Sequence, residues 1–278
     1  MRVLSIALAL LIASGVSGGQ QPAGQYVGFD RNEYPGDEAL PALRKQFSFV
    51  GYWLTIPPGA RRNSWTGKRR ILLRNDFGFL VLANGREEAT IRAMHRSTRQ
   101  TAMMQGQRDG SAAAGTARLE GFPAGTVIFL DQEEGGRLTD DQLGYFRGWV
   151  KAVASSGRYK PGAYVSGMPV DDGPGRKITT AQDIRARVDS ELKEKLVLFV
   201  YQDACPPSNG CTMHPPPLSA SGTPDAEIWQ YAQSPRRKEF TAACATTYSP
   251  NGNCYAPGVT GIHVDLSVAG SADPSHGR

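Results

Sequence analysis

The chain has 278 residues, 40% of them hydrophobic and 21% charged, which is enough to bury the core of one large domain without requiring a second. Its 31 basic and 26 acidic residues give a net charge of +5. The densest basic clusters are not interleaved with aromatic residues, so a nucleic-acid groove is disfavoured and solvated surfaces are the better interpretation.

Residues 1–19 have the pattern of a secretory signal peptide. A single Arg2 precedes the apolar run Val3–Ala13, and small residues follow up to Gly19. The run is too short to span a membrane as a mature helix. We therefore expect cleavage near Gly18 or Gly19 and a secreted or periplasmic protein without a transmembrane segment.

Apolar runs of strand length follow the signal peptide and mostly alternate with helical patterns. The predicted strands are Tyr26–Asp30, Phe49–Thr55, Phe77–Ala83, Thr126–Glu133, Gly162–Ser166, Leu196–Gln202, Glu227–Tyr231 and Gly261–Leu266. The clearest helix starts after Thr139, with Gln142 placed to complete a capping box, and ends at Gly157. Further helices are predicted over 109–120 and 180–195.

This alternation predicts a single α/β domain over residues 24–270, with a parallel sheet closed into a TIM-type (β/α)8 barrel. Late helices are partly replaced by Pro-rich, Cys-containing loops. A doubly wound open sheet is the alternative, but the first strand is followed by no Gly-x-Gly-x-x-Gly and no phosphate-binding loop. The polar end, residues 271–278, is expected to be a disordered tail.

All four cysteines lie in the C-terminal third, in loops rich in Pro, Asn and Gly. Disulfides agree with export, and three pairings are possible. We favour Cys205–Cys211 with Cys244–Cys254, since each bond would close one loop. Zinc is the competing interpretation, but the spacings are not those of zinc knuckles, so no metal is expected.

The run from Thr126 to Glu134 is an apolar strand that ends in acidic residues. Side chains alternate faces along a strand, so Asp131 and Glu133 point the same way. Adjacent carboxylates raise each other's pKa, as a general acid requires. A solvated strand end leading into the Gly135–Gly136 turn is the simpler interpretation.

Carboxylates also end two other predicted strands. Asp30 ends the first strand and Asp265 the last. Because these strands are neighbours in a closed barrel, both residues should lie at the mouth that Glu133 faces. Each acid taken singly could instead be a helix cap or a loop hydrogen-bonding group.

These residues carry a resemblance to known families. The acids at 30, 131, 133 and 265, with Trp229–Tyr231, resemble the family 25 glycoside hydrolases, the muramidases that cut peptidoglycan. The segments 28–30, 51–54, 129–133 and 161–164 resemble more closely the glycoside-hydrolase-like domain family catalogued as domain of unknown function 1906, over about Tyr26 to Val268. The chain departs from the muramidases at Arg31–Asn32, where they have small residues, and at Ser267, where they usually have Asn.

The resemblance implies a carboxylate-lined pocket at the C-terminal face of the barrel. Glu133 would protonate the glycosidic oxygen, and Asp131 would orient an acetamido group or a water. Asp30 and Asp265 would hold the charge of the pocket and raise the pKa of Glu133. Strand geometry alone leaves retention, inversion and substrate assistance open.

Aromatic and amide side chains on the same strands are candidates for sugar binding. Since Gln230 faces away from its neighbours on the strand, either it or the two aromatics can line the mouth. The candidates are Tyr52, Tyr164, Trp229, Gln230 and Tyr231.

The sequence thus predicts an exported hydrolase of peptidoglycan or a related cell-wall polysaccharide, acting through carboxylates. The alternative is a non-catalytic carbohydrate-binding or degenerate barrel. We expect a monomer with no cofactor and no nucleic-acid partner.

Overall fold

The computed structural model describes residues 24–192 and 195–278; the predicted signal peptide lies outside them. The strands are β1 (Tyr26–Asp30), β2 (Phe49–Trp53), β3 (Gly78–Asn84), β4 (Val127–Gln132), β5 (Lys160–Ser166), β6 (Val170–Asp171), β7 (Lys177–Ile178), β8 (Val197–Tyr201), β9 (Ala226–Ala232) and β10 (Asp265–Ala269). Eight of them form a closed barrel in the order β1-β10-β9-β8-β5-β4-β3-β2, and the two short strands β6 and β7 form a separate hairpin.

The predicted closed α/β barrel is confirmed, with one difference in strand direction. The other seven barrel strands all run parallel to one another, but β10 is antiparallel to both of its neighbours, β1 and β9. Residues 233–264 form only short helices and turns and return to the end of the barrel where β9 finishes, so β10 starts at that same end and runs antiparallel. The sheet is therefore mixed.

The helices cover the outside of the barrel. They are α1 (Leu40–Arg44), α2 (Arg69–Arg74), α3 (Glu88–Thr98), α4 (Ala102–Leu119), α5 (Asp140–Ser155), α6 (Thr180–Arg187) and α7 (Lys238–Thr241), with 3-10 turns at Asp37–Ala39, Asp189–Glu191, Leu218–Ser221 and Ala242–Thr247. In the described part of the chain no helix is long and apolar enough to cross a membrane.

The boundaries of three helices test the sequence signals. The capping box of Thr139 and Gln142 is present at the start of α5. Helix α4 begins seven residues before its predicted start, because the Thr101 side chain caps it by accepting from the Met104 N–H. Helix α6 is shorter than predicted, since Val188 leaves the helical conformation.

The disulfides link the two late loops to each other. Cys205 bonds Cys244 and Cys211 bonds Cys254, so the local pairings favoured above are wrong. Cys205 and Cys244 are 39 residues apart in the sequence, and Cys211 and Cys254 are 43 residues apart. Cross-linking fastens the β8–β9 loop to the β9–β10 loop, where the helices of a regular barrel are missing.

The C-terminal segment packs against the end of the barrel where β3 and β4 begin, and it is not a disordered tail. Its Ser275 is fully buried. The Ser275 backbone donates to the Phe79 carbonyl and accepts from the Val127 N–H, each at 2.9 Å. The Ser275 hydroxyl accepts from the Val81 N–H at 2.8 Å. The segment thus pairs backbone groups of β3 and β4 that would otherwise be buried unpaired, a need that polar composition did not reveal.

Candidate active site

A cavity of about 260 Å³ opens at the carboxyl end of the parallel strands. Its charged and polar lining comes from β1, β5 and the loops that follow β1, β4 and β9, and from the start of β10. These residues are Asp30, Asn32, Glu133, Tyr164, Gln233, Ser234, Arg237 and Asp265. Three of the four predicted acids therefore line one cavity.

Strand register brings the acids together. Asp30 at the end of β1 lies directly opposite Asp265 at the start of β10. Asp131 on β4 is opposite Asn84 at the end of β3. Glu133 follows β4 directly, on the face that Asp131 shares. Asp131 is 5% exposed and lies behind the cavity lining.

Gly51 on β2 makes room for Asp30. A Cβ at Gly51 would lie 2.3 Å from the Asp30 Cβ and 3.1 Å from its Cα. No side chain can occupy that position without moving the carboxyl, so glycine is required by the close approach of the two strands.

Buried hydrogen bonds hold the Asp30 carboxylate in place. Gln230 Nε2 donates to Asp30 Oδ1 at 3.1 Å. The Tyr164 hydroxyl donates to Gln230 Oε1 at 2.6 Å and accepts from Gln233 Nε2 at 3.0 Å. Of the predicted sugar-binding residues, Tyr164 thus lines the cavity, and Gln230 faces inward and supports Asp30.

The other three candidates point out of the barrel, so their predicted contact with substrate is not supported. Tyr52 faces the helices, whereas Trp229 and Tyr231 face the β8–β9 loop. Tyr52 is fully buried and donates to Glu120 Oε2 at 2.7 Å. Trp229 Nε1 donates to the Gln202 carbonyl at 2.9 Å. Tyr231 donates to the Thr212 carbonyl at 2.7 Å. Their alternation with Gln230 is as expected, but the amide takes the inside of the barrel.

Glu133 is the accessible carboxyl of the group, with 44% of its side chain exposed. Arg237 Nη2 lies 3.4 Å from Glu133 Oε2. The Arg237 guanidinium also lies over the Tyr201 ring, 4.4 Å from its centroid. The Tyr201 hydroxyl donates to the Glu133 carbonyl at 2.8 Å. Arg237 thus holds the side chain of Glu133, and Tyr201 holds its backbone.

The loop after β4 is anchored from below by a buried carboxylate. Asp183 on α6 is fully buried and accepts from the Leu138 N–H at 2.9 Å and from Arg137 at 3.1 Å. It also accepts from Arg187. This network fixes the path of the chain between Glu133 and α5.

Burial favours the protonated form of the three inner acids. It raises the pKa of Asp30 to about 7, although the hydrogen bond from Gln230 lowers it; the charge of Glu133 raises it further. Burial also raises the pKa of Asp131 well above its usual value, and the charges of Glu133 and Asp30 add to this. The pKa of Asp265 is raised by burial and by Asp30, against the hydrogen bond from the Ser234 N–H.

Glu133 has a raised pKa set by opposing influences. Burial of its carboxyl raises the pKa, Arg237 lowers it and Asp203 raises it. Asp203 is a fifth acid that the sequence interpretation missed. It is fully buried, neither carboxyl oxygen has a hydrogen-bond partner among the described residues, and burial raises its pKa. Its place just after β8 was the available signal.

Sequence reasoning also missed Gln233, Ser234 and Arg237. Arg237 belongs to a basic cluster that we interpreted as solvated, and no local pattern marks Gln233 or Ser234. All three lie just after β9, where the loop folds back over the mouth. Within the described residues no group of three or more His, Cys, Asp or Glu side chains is arranged to hold a metal ion.

The barrel and its acidic mouth define a glycoside hydrolase-like domain. Residues 76–243, more than half of the chain, match the family described as the Rv2525c-like, glycoside hydrolase-like domain, and the chain belongs to this family. Among curated proteins, none matches the chain significantly.

Solved structures share the fold at low sequence identity. An uncharacterized protein of B. stearothermophilus is 16% identical over 88% of this chain and 95% of its own, with a TM-score of 0.54. GHIP, a glycosyl hydrolase 25 of Streptococcus pneumoniae, is 12% identical over 88% and 86%, at 0.52. The Tat-secreted protein Rv2525c of Mycobacterium tuberculosis, solved with HEPES, is 12% identical over 91% and 98%, at 0.50.

Proposed function

We propose that the chain is an exported hydrolase of peptidoglycan or a related cell-wall polysaccharide, with Glu133 as general acid. The observation that carries this is the convergence of Asp30, Glu133 and Asp265 on one cavity, with Asp131 buried behind it. Cleaving a glycosidic bond requires a carboxyl that is still protonated near neutral pH and reaches the leaving oxygen. Glu133 combines a raised pKa with an accessible side chain.

The buried acids would support that role from their positions around Glu133. Asp131 would orient an acetamido group or a water. Asp30 and Asp265 would keep the floor of the cavity polar and, when ionised, disfavour ionisation of Glu133. Arg237 opposes them, so a sugar that displaces it from Glu133 would raise the pKa of the acid at the moment it must donate.

Export is supported by two disulfides, by the signal-peptide pattern and by the likeness to a Tat-secreted protein of the same fold. The mature chain is proposed to begin near Gly19. Mass spectrometry of the secreted protein measures its N-terminus directly, and an intact Met1 in that fraction would contradict the proposal.

The test of catalysis is the Glu133→Gln variant, assayed for release of soluble fragments from peptidoglycan. Loss of the proton donor should lower the rate on the order of 10²–10⁴-fold with little change in fold. Glu227→Gln, which changes an exposed acid at the far end of β9, is the matched control and should keep full activity. Equal rates for the parent and Glu133→Gln would refute the assignment.

A non-catalytic glycan-binding barrel is the second candidate. The ion pair of Glu133 with Arg237 favours it, because a permanently paired carboxylate holds a ligand but donates no proton. One measurement distinguishes the two proposals. A parent protein that binds glycan and releases no fragments at any pH supports the binding function.

A further inference from the structure

A second cavity, of about 420 Å³, adjoins the acidic one. Four residues line both: Asn32, Pro58, Ser234 and Asp265. The two cavities are therefore contiguous, and a ligand longer than one sugar ring can extend from the acids into the second space. That space holds no acid of the proposed catalytic group except Asp265, at the boundary.

The side chain that distinguishes the second cavity is Arg31. Its carbonyl accepts from Trp53 Nε1 at 3.2 Å, which fixes the residue between β1 and β2. Its Nε is buried and has no hydrogen-bond partner among the described residues. A buried guanidinium N–H without an acceptor is costly. No acceptor among the described residues holds this nitrogen, and Arg31 lines the cavity, where its head group can meet a ligand.

The other groups around Arg31 leave it as the main positive charge of the cavity. Burial and the charge of Arg31 lower the pKa of His263, so this imidazole is neutral at pH 7. Two acids line the same cavity: Glu33, which is exposed, and Asp265, which lies at the boundary with the first cavity.

We propose that the second cavity is a subsite for a carboxylate carried by a sugar ring, which Arg31 binds. The inference rests on the proposed function, since it names the class of glycan. Planar guanidinium and carboxylate groups pair through two parallel hydrogen bonds, a geometry that selects an anionic saccharide over a neutral one. Asn32, at the junction of the cavities, lies where the same sugar would pass.

Calorimetry with the Glu133→Gln protein tests the subsite without cleavage. Three tetrasaccharides serve as probes: one of N-acetylglucosamine alone, one alternating with N-acetylmuramic acid bearing free lactyl carboxylates, and one alternating with glucuronic acid. We expect at least one carboxylated probe to bind about 10-fold more tightly than the neutral one. Which one does so distinguishes a lactyl ether from a uronate.

Arg31→Met should abolish that preference and leave the affinity for the neutral probe unchanged. Arg96→Met, an exposed arginine on α3, is the control and should keep it. Glu33→Gln should strengthen binding of the carboxylated probe. Arg31→Lys covers the case in which Met does not fold; it should retain part of the preference.

The outcomes separate this inference from the proposed function. Equal affinity for neutral and carboxylated probes, or a preference that survives Arg31→Met, overturns the subsite while glycan binding stands. Failure of all three probes to bind, together with no cleavage by the parent, overturns both.

Discussion

Asp30 couples the protonation of the acidic cavity to the stability of the barrel. The residue is 7% exposed, and burial raises its pKa from 3.8 to about 7. The folded protein therefore binds the Asp30 proton more tightly than the unfolded chain does. This contribution to stability is fully present below about pH 4 and is lost as pH rises to about 7.

The size of the effect follows from the same values. Each pKa unit corresponds to 1.36 kcal/mol, so the rise from 3.8 to about 7 sets an upper limit of about 4 kcal/mol. Asp30→Asn removes the ionisation but keeps an oxygen that can accept from Gln230. We expect the variant to match the parent at about pH 4 and to be more stable at about pH 8.

Urea unfolding across this pH range measures the difference. Asp171→Asn is the control, because the Asp171 side chain is 88% exposed and its substitution should leave the pH dependence unchanged. A parent whose stability does not fall between about pH 4 and pH 7, or an Asp30→Asn variant less stable than the parent at about pH 8, would refute the reasoning.

Replacing Arg237 with Met removes the cation that lowers the pKa of Glu133, so the alkaline limb of the pH–rate profile should move to higher pH, as measured by peptidoglycan cleavage across a pH series. Gly51→Ala should cost about 1–3 kcal/mol by displacing Asp30, seen as a lower melting temperature, whereas Gly115→Ala, which meets no atom within 4 Å, should not destabilise. Deleting residues 271–278 should lower stability by several kcal/mol, at about 1–3 kcal/mol for each buried backbone group left unpaired, as measured by urea unfolding; an unchanged midpoint would contradict the packed C-terminus.

The barrel was predictable because its information is local. Each strand is an apolar run bounded by turns, and most runs alternate with helices, so the count of eight and the closure followed. The capping box of α5 lies within four residues and was also correct. Disulfide pairing was not predictable in this way, because which loop reaches which depends on the return path of the chain after β9.

Asp265 reached its predicted place for a different reason. The sequence interpretation put it at the end of a parallel strand, but it begins an antiparallel one. The predicted strand runs parallel and has Asp265 near its end, whereas the observed strand runs antiparallel and has Asp265 at its start. Asp265 lies at the same end of the barrel in both cases, and therefore beside Asp30. Correct placement of a site residue therefore does not establish the direction of the strand that carries it.

The inward face of β9 shows where local information runs out. Alternation along the strand separates Gln230 from Trp229 and Tyr231 but does not say which side is inside. The deciding partner lies two hundred residues earlier: buried Asp30 needs a hydrogen-bond donor, and the Gln230 amide supplies it. If Trp229 and Tyr231 faced inward, the Asp30 carboxyl would have no donor from this strand. Both aromatics instead donate to backbone carbonyls outside the barrel. Which face of β9 lies inside the barrel thus depends on the hydrogen bond that an acid on another strand requires.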